Sequence, residues 1–120
     1  MKRFKDYISE ADSMETGWIG VDLDGTLAHY DRWRGVQHIG APVPAMVDRV
    51  KKWLAQGRKV KVFTARATEV ESYAFIKKWC VEHIGVELPI TCVKDYQMVE
   101  LWDDRCVRVM HNTGNPCCEK

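Results

Sequence analysis

Residues 18–27, W-I-G-V-D-L-D-G-T-L, constrain the fold more than any other stretch. Trp18, Ile19 and Val21 are apolar residues of strand-forming type, and the run stops at two carboxylates, Asp22 and Asp24, and the turn pair Gly25 and Thr26. A buried strand that delivers two acids to its C-terminal end needs a cation beside them, because like charges and partial desolvation both oppose ionisation. A hard divalent ion such as Mg2+ meets that need, since it takes carboxylate and carbonyl oxygens and leaves positions for water and phosphate. The plainer reading, two aspartates capping a turn before Gly25, suits an isolated D-x-D better than one that follows an apolar strand.

The chain beyond this stretch alternates. Pro44 stands where a helix would start, Val43, Met46, Val47, Val50 and Leu54 mark one face of it, and Gly57 ends it. Lys59–Thr64, with β-branched residues at alternate positions, is a second strand ending at Thr64, Ala65 and Arg66. Thr68 and Glu71 have capping-box spacing ahead of a helix whose apolar face is Val70, Tyr73, Ile76, Cys80 and Ile84, closed by Gly85. Pro89–Val93 reads as a short strand ending at Lys94, Val99–Trp102 as another ending at Asp103, Asp104 and Arg105, and Val107–Met110 as a further one, followed by a turn-rich tail from Asn112. This alternation predicts an α/β domain with a mostly parallel sheet.

A chain of 120 residues supports one domain. Its net charge of +1 gives no general case for nucleic-acid binding, so any such contact would rest on a local patch. The N-terminal stretch 1–16 carries charges throughout and no apolar signal core; it reads as a short helix or a leader, and no apolar run is long enough to span a bilayer. A cytoplasmic protein without membrane contact is expected. The odd count of five cysteines lacks C-x-x-C spacing, which argues against a disulfide framework and a zinc ribbon; Cys80, Cys92 and Cys106 read as small core residues, Cys117 and Cys118 as exposed thiols.

The segment 28–44 has no sustained period and holds two glycines and two prolines. Loops of this length in small domains are usually functional or disordered. Tyr30, Arg32, Trp33, Arg34 and His38 set cations beside aromatic faces, which suits a phosphate attached to a base or another flat group; the competing reading is a surface loop with Trp33 packed on the core and solvated arginines.

In an open parallel sheet, ligands bind beyond the carboxyl ends of the strands. Here those ends supply Asp22 and Asp24, Thr64 and Arg66, Lys94, and Asp103 and Asp104. Carboxylates hold a divalent cation, while a hydroxyl, an ammonium and a guanidinium suit the oxygens of a transferring phosphoryl group. Asp22 is then placed to act as nucleophile, and Asp24 to protonate the leaving oxygen and later activate water.

D-L-D-G-T-L, Thr64 in F-T-A-R, Lys94 and L-W-D-D-R occur in the order of the four motifs of the haloacid dehalogenase (HAD) superfamily, and the chain resembles its phosphatases from Trp18 to about Gly114. The resemblance implies a Rossmann-like three-layer sandwich, residues 17–114 as catalytic domain with 1–16 and 115–120 as extensions, and Mg2+ at Asp22, Asp24, Asp103 and Asp104, Asp24 through its carbonyl. It implies catalysis by Asp22, Asp24, Thr64 and Lys94. Leu23, Gly25, Thr26, Ala65 and Arg66, with Arg32 and Arg34 from the loop, are the candidates for phosphate and substrate.

No segment is large enough for a cap domain, so the chain looks like a capless member with 28–42 as a flap. Arg66, the K-K-W-C-V-E-H-I-G-V-E-L-P stretch and D-D-R are similar to the phosphatase half of polynucleotide kinase, which implies a nucleotide or a nucleic-acid 3′-phosphate end as substrate. Two other classes compete: a regulatory module of the same fold that binds metal and phosphate without turnover, and a phosphoaspartate receiver, whose acceptor ends the third strand rather than the first. The connection from Lys94 to Val99 is shorter than a parallel crossover normally needs, so Arg105 competes with Lys94 as the phosphoryl-binding cation.

Overall fold

The computed structural model describes residues 17–117; the reading of 1–16 and that of Cys118 lie outside them. Four strands, β1 (Trp18–Val21), β2 (Lys59–Phe63), β3 (Ile90–Thr91) and β4 (Met98–Trp102), form one sheet in the order β3-β2-β1-β4, every pair parallel. Helix α1 (Pro44–Ala55) connects β1 to β2, and α2 (Tyr73–His83) connects β2 to β3. None of the helices among the described residues is long and apolar enough to cross a membrane.

β1 lies at the centre because it is apolar on both faces. Ile19 and Val21 join Val60 and Val62 of β2 in the core, which Met46, Val47, Val50 and Trp53 of α1 and Ile76, Trp79 and Cys80 of α2 complete. Both helices therefore share one face of the sheet. On the other face Trp18 stacks on Phe63, and a Cβ on Gly20 would come within 3.4 Å of Trp18, Leu101 and Phe63, so a glycine lets these three close over β1.

Helix α1 begins at Pro44, whose missing N–H would have had no partner in the first turn anyway. Its end is a Schellman motif: Gly57, at φ +80°, donates to the Leu54 carbonyl and Arg58 to that of Trp53, each at 3.0 Å. The capping box expected at α2 does not form. Thr68 instead donates to the Ala65 carbonyl within a 3-10 turn, Ala65–Thr68, and the chain reaches α2 through a second such turn, Val70–Ser72. The fully buried Ser72 hydroxyl lies 2.6 Å from the Arg66 carbonyl and 2.7 Å from that of Glu69, tying the two turns together. Val70 consequently points to solvent, and Trp79 takes its place in the core.

From β3 to β4 the chain passes from one edge of the sheet to the other through residues 92–97 without a helix. Six extended residues reach about 20 Å, just enough to cross the sheet on the diagonal. Asp95 anchors the crossing by accepting a hydrogen bond from the Trp18 indole at 2.8 Å. Two further expectations are corrected. Val107–Met110 is no sheet strand: Val109 bridges only to Pro116, in a local ribbon that runs through the 115–117 tail, with Asn112 and Gly114 at positive φ in its turn. Of the three cysteines assigned to the core only Cys80 is buried; Cys92 and Cys106 follow strand ends and are exposed, as is Cys117.

Candidate active site

The ladder between β1 and β4 runs one step past the strand: the Asp22 N–H donates to the Trp102 carbonyl at 2.9 Å. That bond sets Asp22 beside Asp103. The chain then turns back on itself, with the N–H groups of Thr26, Leu27 and Ala28 all donating to the Leu23 carbonyl at 2.9–3.3 Å. The Leu23 side chain is buried in the core, so nothing of this residue beyond its backbone can face a ligand. None of these turn bonds uses the Asp24 carbonyl. Gly25, at φ +93°, is required twice over: the turn needs its left-handed backbone, and a Cβ there would lie 2.5 Å from Asp104 Oδ2.

One carboxylate oxygen each from Asp22, Asp103 and Asp104 lies within 4.8 Å of the other two, so these three residues could hold a metal ion. Thr26 Oγ1 accepts from the Asp104 N–H at 3.1 Å and lies 3.4 Å from Asp22 Oδ2 and 3.3 Å from Asp104 Oδ1. Burial, a hydrogen bond shared with Asp104, and the charges of Asp103, Asp104 and Asp24 push the Asp22 carboxyl up to about 8. With no cation beside it, Asp22 therefore keeps its proton at neutral pH. The donors are all hard oxygens, and the fault in their electrostatics is an excess of negative charge; both features fit a hard divalent cation.

Asp24 faces the other way. The buried Arg66 grips it in a bidentate pair, Nε to Oδ2 and Nη2 to Oδ1, both at 2.8 Å. The same guanidinium donates to the carbonyls of His38 at 2.9 Å and Val36 at 3.3 Å, and its carbon lies 4.8 Å from the centre of the Trp33 ring. Arg66 thus ties the first motif to the 28–42 loop rather than standing open for phosphate. The base of that loop is closed by His29 N–H to the Ala41 carbonyl and Val43 N–H to the Leu27 carbonyl, each at 2.8 Å, and by the Trp79 indole, which donates to the Gly40 carbonyl at 2.9 Å.

Thr64 is buried at the end of β2, where its hydroxyl accepts from the Arg66 N–H at 3.1 Å. It lines a cleft of about 1000 Å³ together with Asp22, Asp24, Ala65, Arg66, Asp103 and Asp104, so most of the residues chosen from the sequence converge on one space. Lys94 does not join them: β3 ends at Thr91, and Lys94 is exposed within the 92–97 crossing, whereas Arg105 lines the cleft. Arg32 and Arg34 are also exposed outside it, Arg34 paired with Asp31. Gly25 and Thr26 do not line it either; with Asp103 and Asp104 they line a separate, smaller pocket.

Tyr30 and Trp33 of the loop, which the sequence offered for a flat group, also line the cleft, and so do Phe63, Glu69 and Cys92, which it did not single out as ligands. The Asp24–Arg66 pair was the detectable one, since the alternation already put an unpaired acid and a cation at the same edge. No family model, curated protein or solved structure matches the chain.

Proposed function

We propose that this protein is a Mg2+-dependent phosphomonoester hydrolase of HAD type, acting through an aspartyl-phosphate on a nucleotide or a nucleic-acid end. The observation that carries this reading is the convergence of Asp22, Asp103 and Asp104 with the Thr64 hydroxyl on one cleft at the carboxyl edge of a parallel sheet. The three-layer sandwich of the resemblance is part of the proposal, as is a cytoplasmic setting.

Asp22, Asp103 and Asp104 would hold the ion. Bound there, Mg2+ supplies the positive charge that keeps Asp22 ionised and offsets its repulsion from a phosphoryl anion. The Asp22 carboxylate attacks phosphorus, a new O–P bond forms, and the bond to the leaving oxygen breaks. Thr64, and Arg105 in place of Lys94, hold the equatorial oxygens. Asp24 gives its proton to the leaving oxygen, then takes one from the water that attacks the aspartyl-phosphate; to do so its carboxyl gives up one of the two hydrogen bonds from Arg66. Hydrolysis returns Asp22 and releases inorganic phosphate.

That pairing also favours a second reading. A carboxylate held at both oxygens by a guanidinium is a poor proton donor, which suits a module that binds metal and phosphorylated ligand without turnover. Hydrolysis of a panel of phosphate esters, with Mg2+ and with chelator, for wild type and Asp22→Asn, separates the two. Turnover that is lost with chelator and in the variant is expected. Metal-dependent ligand binding without turnover of any ester refutes the hydrolase and leaves the module.

A further inference from the structure

We infer that the leaving group is the nucleoside of a single nucleotide, recognised by stacking on Trp33, and not the end of a nucleic-acid chain. The inference rests on the phosphohydrolase reading above and names its substrate class.

The 28–42 loop brings two large aromatic rings, Tyr30 and Trp33, to the cleft that holds Asp22, and both are about half-exposed, at 48% and 52%. Each ring offers the cleft an apolar face whose burial against a flat ligand would be favourable. Trp33 is also fixed in place. Its ring lies on the Arg66 guanidinium, which is buried and held by four hydrogen bonds, so the indole is supported from beneath by a rigid cation while half its surface stays open. A preorganised aromatic ring loses little entropy when a second flat ring stacks on it. A base is flat, and its phosphate would reach Asp22 across the same cleft, whose volume of about 1000 Å³ takes a ligand of this size.

The charge of the walls decides between a nucleotide and a polymer. Of the described residues lining the cleft, five are carboxylates, Asp22, Asp24, Glu69, Asp103 and Asp104, against the guanidiniums of Arg66 and Arg105. One divalent ion at the triad brings this near neutrality, enough for one phosphate. Nucleic-acid binding depends instead on rows of cations that replace condensed counterions. The two loop arginines that could begin such a row stand outside the cleft, Arg34 with its charge matched by Asp31.

The test compares kcat/KM, with Mg2+, for a nucleoside monophosphate, glycerol phosphate and a short 3′-phosphorylated oligonucleotide. Base stacking predicts that the nucleotide exceeds glycerol phosphate by about tenfold or more, and that this ratio collapses in Trp33→Leu but survives in Trp33→Phe. Equal rates on the nucleotide and glycerol phosphate overturn the inference while leaving the hydrolase standing. Preference for the oligonucleotide, with a KM that climbs steeply with salt, overturns it in favour of a nucleic-acid end. A readout without turnover covers failure of the hydrolase itself: the NMR signal of the Trp33 indole N–H is expected to shift with the nucleoside monophosphate and not with glycerol phosphate. Absence of that selective shift overturns the stacking site.

Discussion

Replacing Asp22 by asparagine is expected to stabilise the metal-free protein at neutral pH, although it removes the central group of the site. The Asp22 carboxyl titrates at about 8 in the fold against 3.8 in an unfolded chain. At about pH 3 and below, both states are protonated and the carboxyl has no effect. As pH rises from there, the unfolded chain releases a proton that the folded chain retains, so stability falls, and the loss is complete once pH passes about 8. At about pH 7 the full displacement would amount to roughly 4 kcal/mol. Asp22 is only partly buried, and water screens it, which brings the figure to about 2 kcal/mol.

Asparagine keeps the shape, has no proton to lose, and can donate an N–H to the Asp104 carboxylate where the shared proton now sits. Urea unfolding in chelator, followed by tryptophan fluorescence, should find Asp22→Asn more stable than wild type by about 2 kcal/mol near pH 7, and the two equal near about pH 3. In a thermal melt the same difference is about 10 °C. Saturating Mg2+, at about a hundred times its Kd, should stabilise wild type by about 3 kcal/mol and the variant far less, reversing the order. A variant destabilised equally at both pH values would refute the reasoning, because Asp22 would then be a satisfied carboxylate and the acid cluster would have no need of a cation.

Three further outcomes follow from the geometry. Gly25→Ala forces a Cβ against Asp104 and an unfavourable φ, so it should cost about 2 kcal/mol in urea unfolding and weaken the Mg2+-induced rise in Tm without removing any ligand. Arg66→Ala strands a carboxylate that is 20% exposed and unpins the loop, a loss of about 3 kcal/mol; adding Asp24→Asn should recover part of it, and a strictly additive double-mutant cycle would show that the pair is not coupled. Lys94→Ala should leave stability within about 0.5 kcal/mol and phosphate affinity unaltered in calorimetric titration, whereas Arg105→Ala weakens phosphate binding by about tenfold.

What could be read from the sequence was whatever depends on period and on strand ends. β1, α1, β2, α2 and β4 were legible because each carries its own apolar pattern, and the parallel alternation then brought Asp22, Thr64 and Asp103 to one edge. The errors fall where a short polar contact overrides the pattern. Pro89–Val93 reads as a short strand ending at Lys94, yet the Thr91 hydroxyl accepts from the Val93 N–H at 3.0 Å and bends the chain out of the sheet, so the cation expected at that strand end never arrives. Thr68 bonded within its own turn instead of capping α2.

Arg66 is the most instructive of these cases. At a strand end beside Thr64 it reads as a phosphate ligand, and by type it could be one. The guanidinium of a residue only 7% exposed needs an acceptor on the same scale, and the Asp24 carboxylate, with the Val36 and His38 carbonyls, supplies it before any substrate does. The consequence runs from packing to chemistry. Because one side chain holds the acid of the D-x-D, the loop backbone and the Trp33 ring, a ligand that presses on Trp33 acts through Arg66 on Asp24, the group to which the proposed hydrolysis assigns the proton.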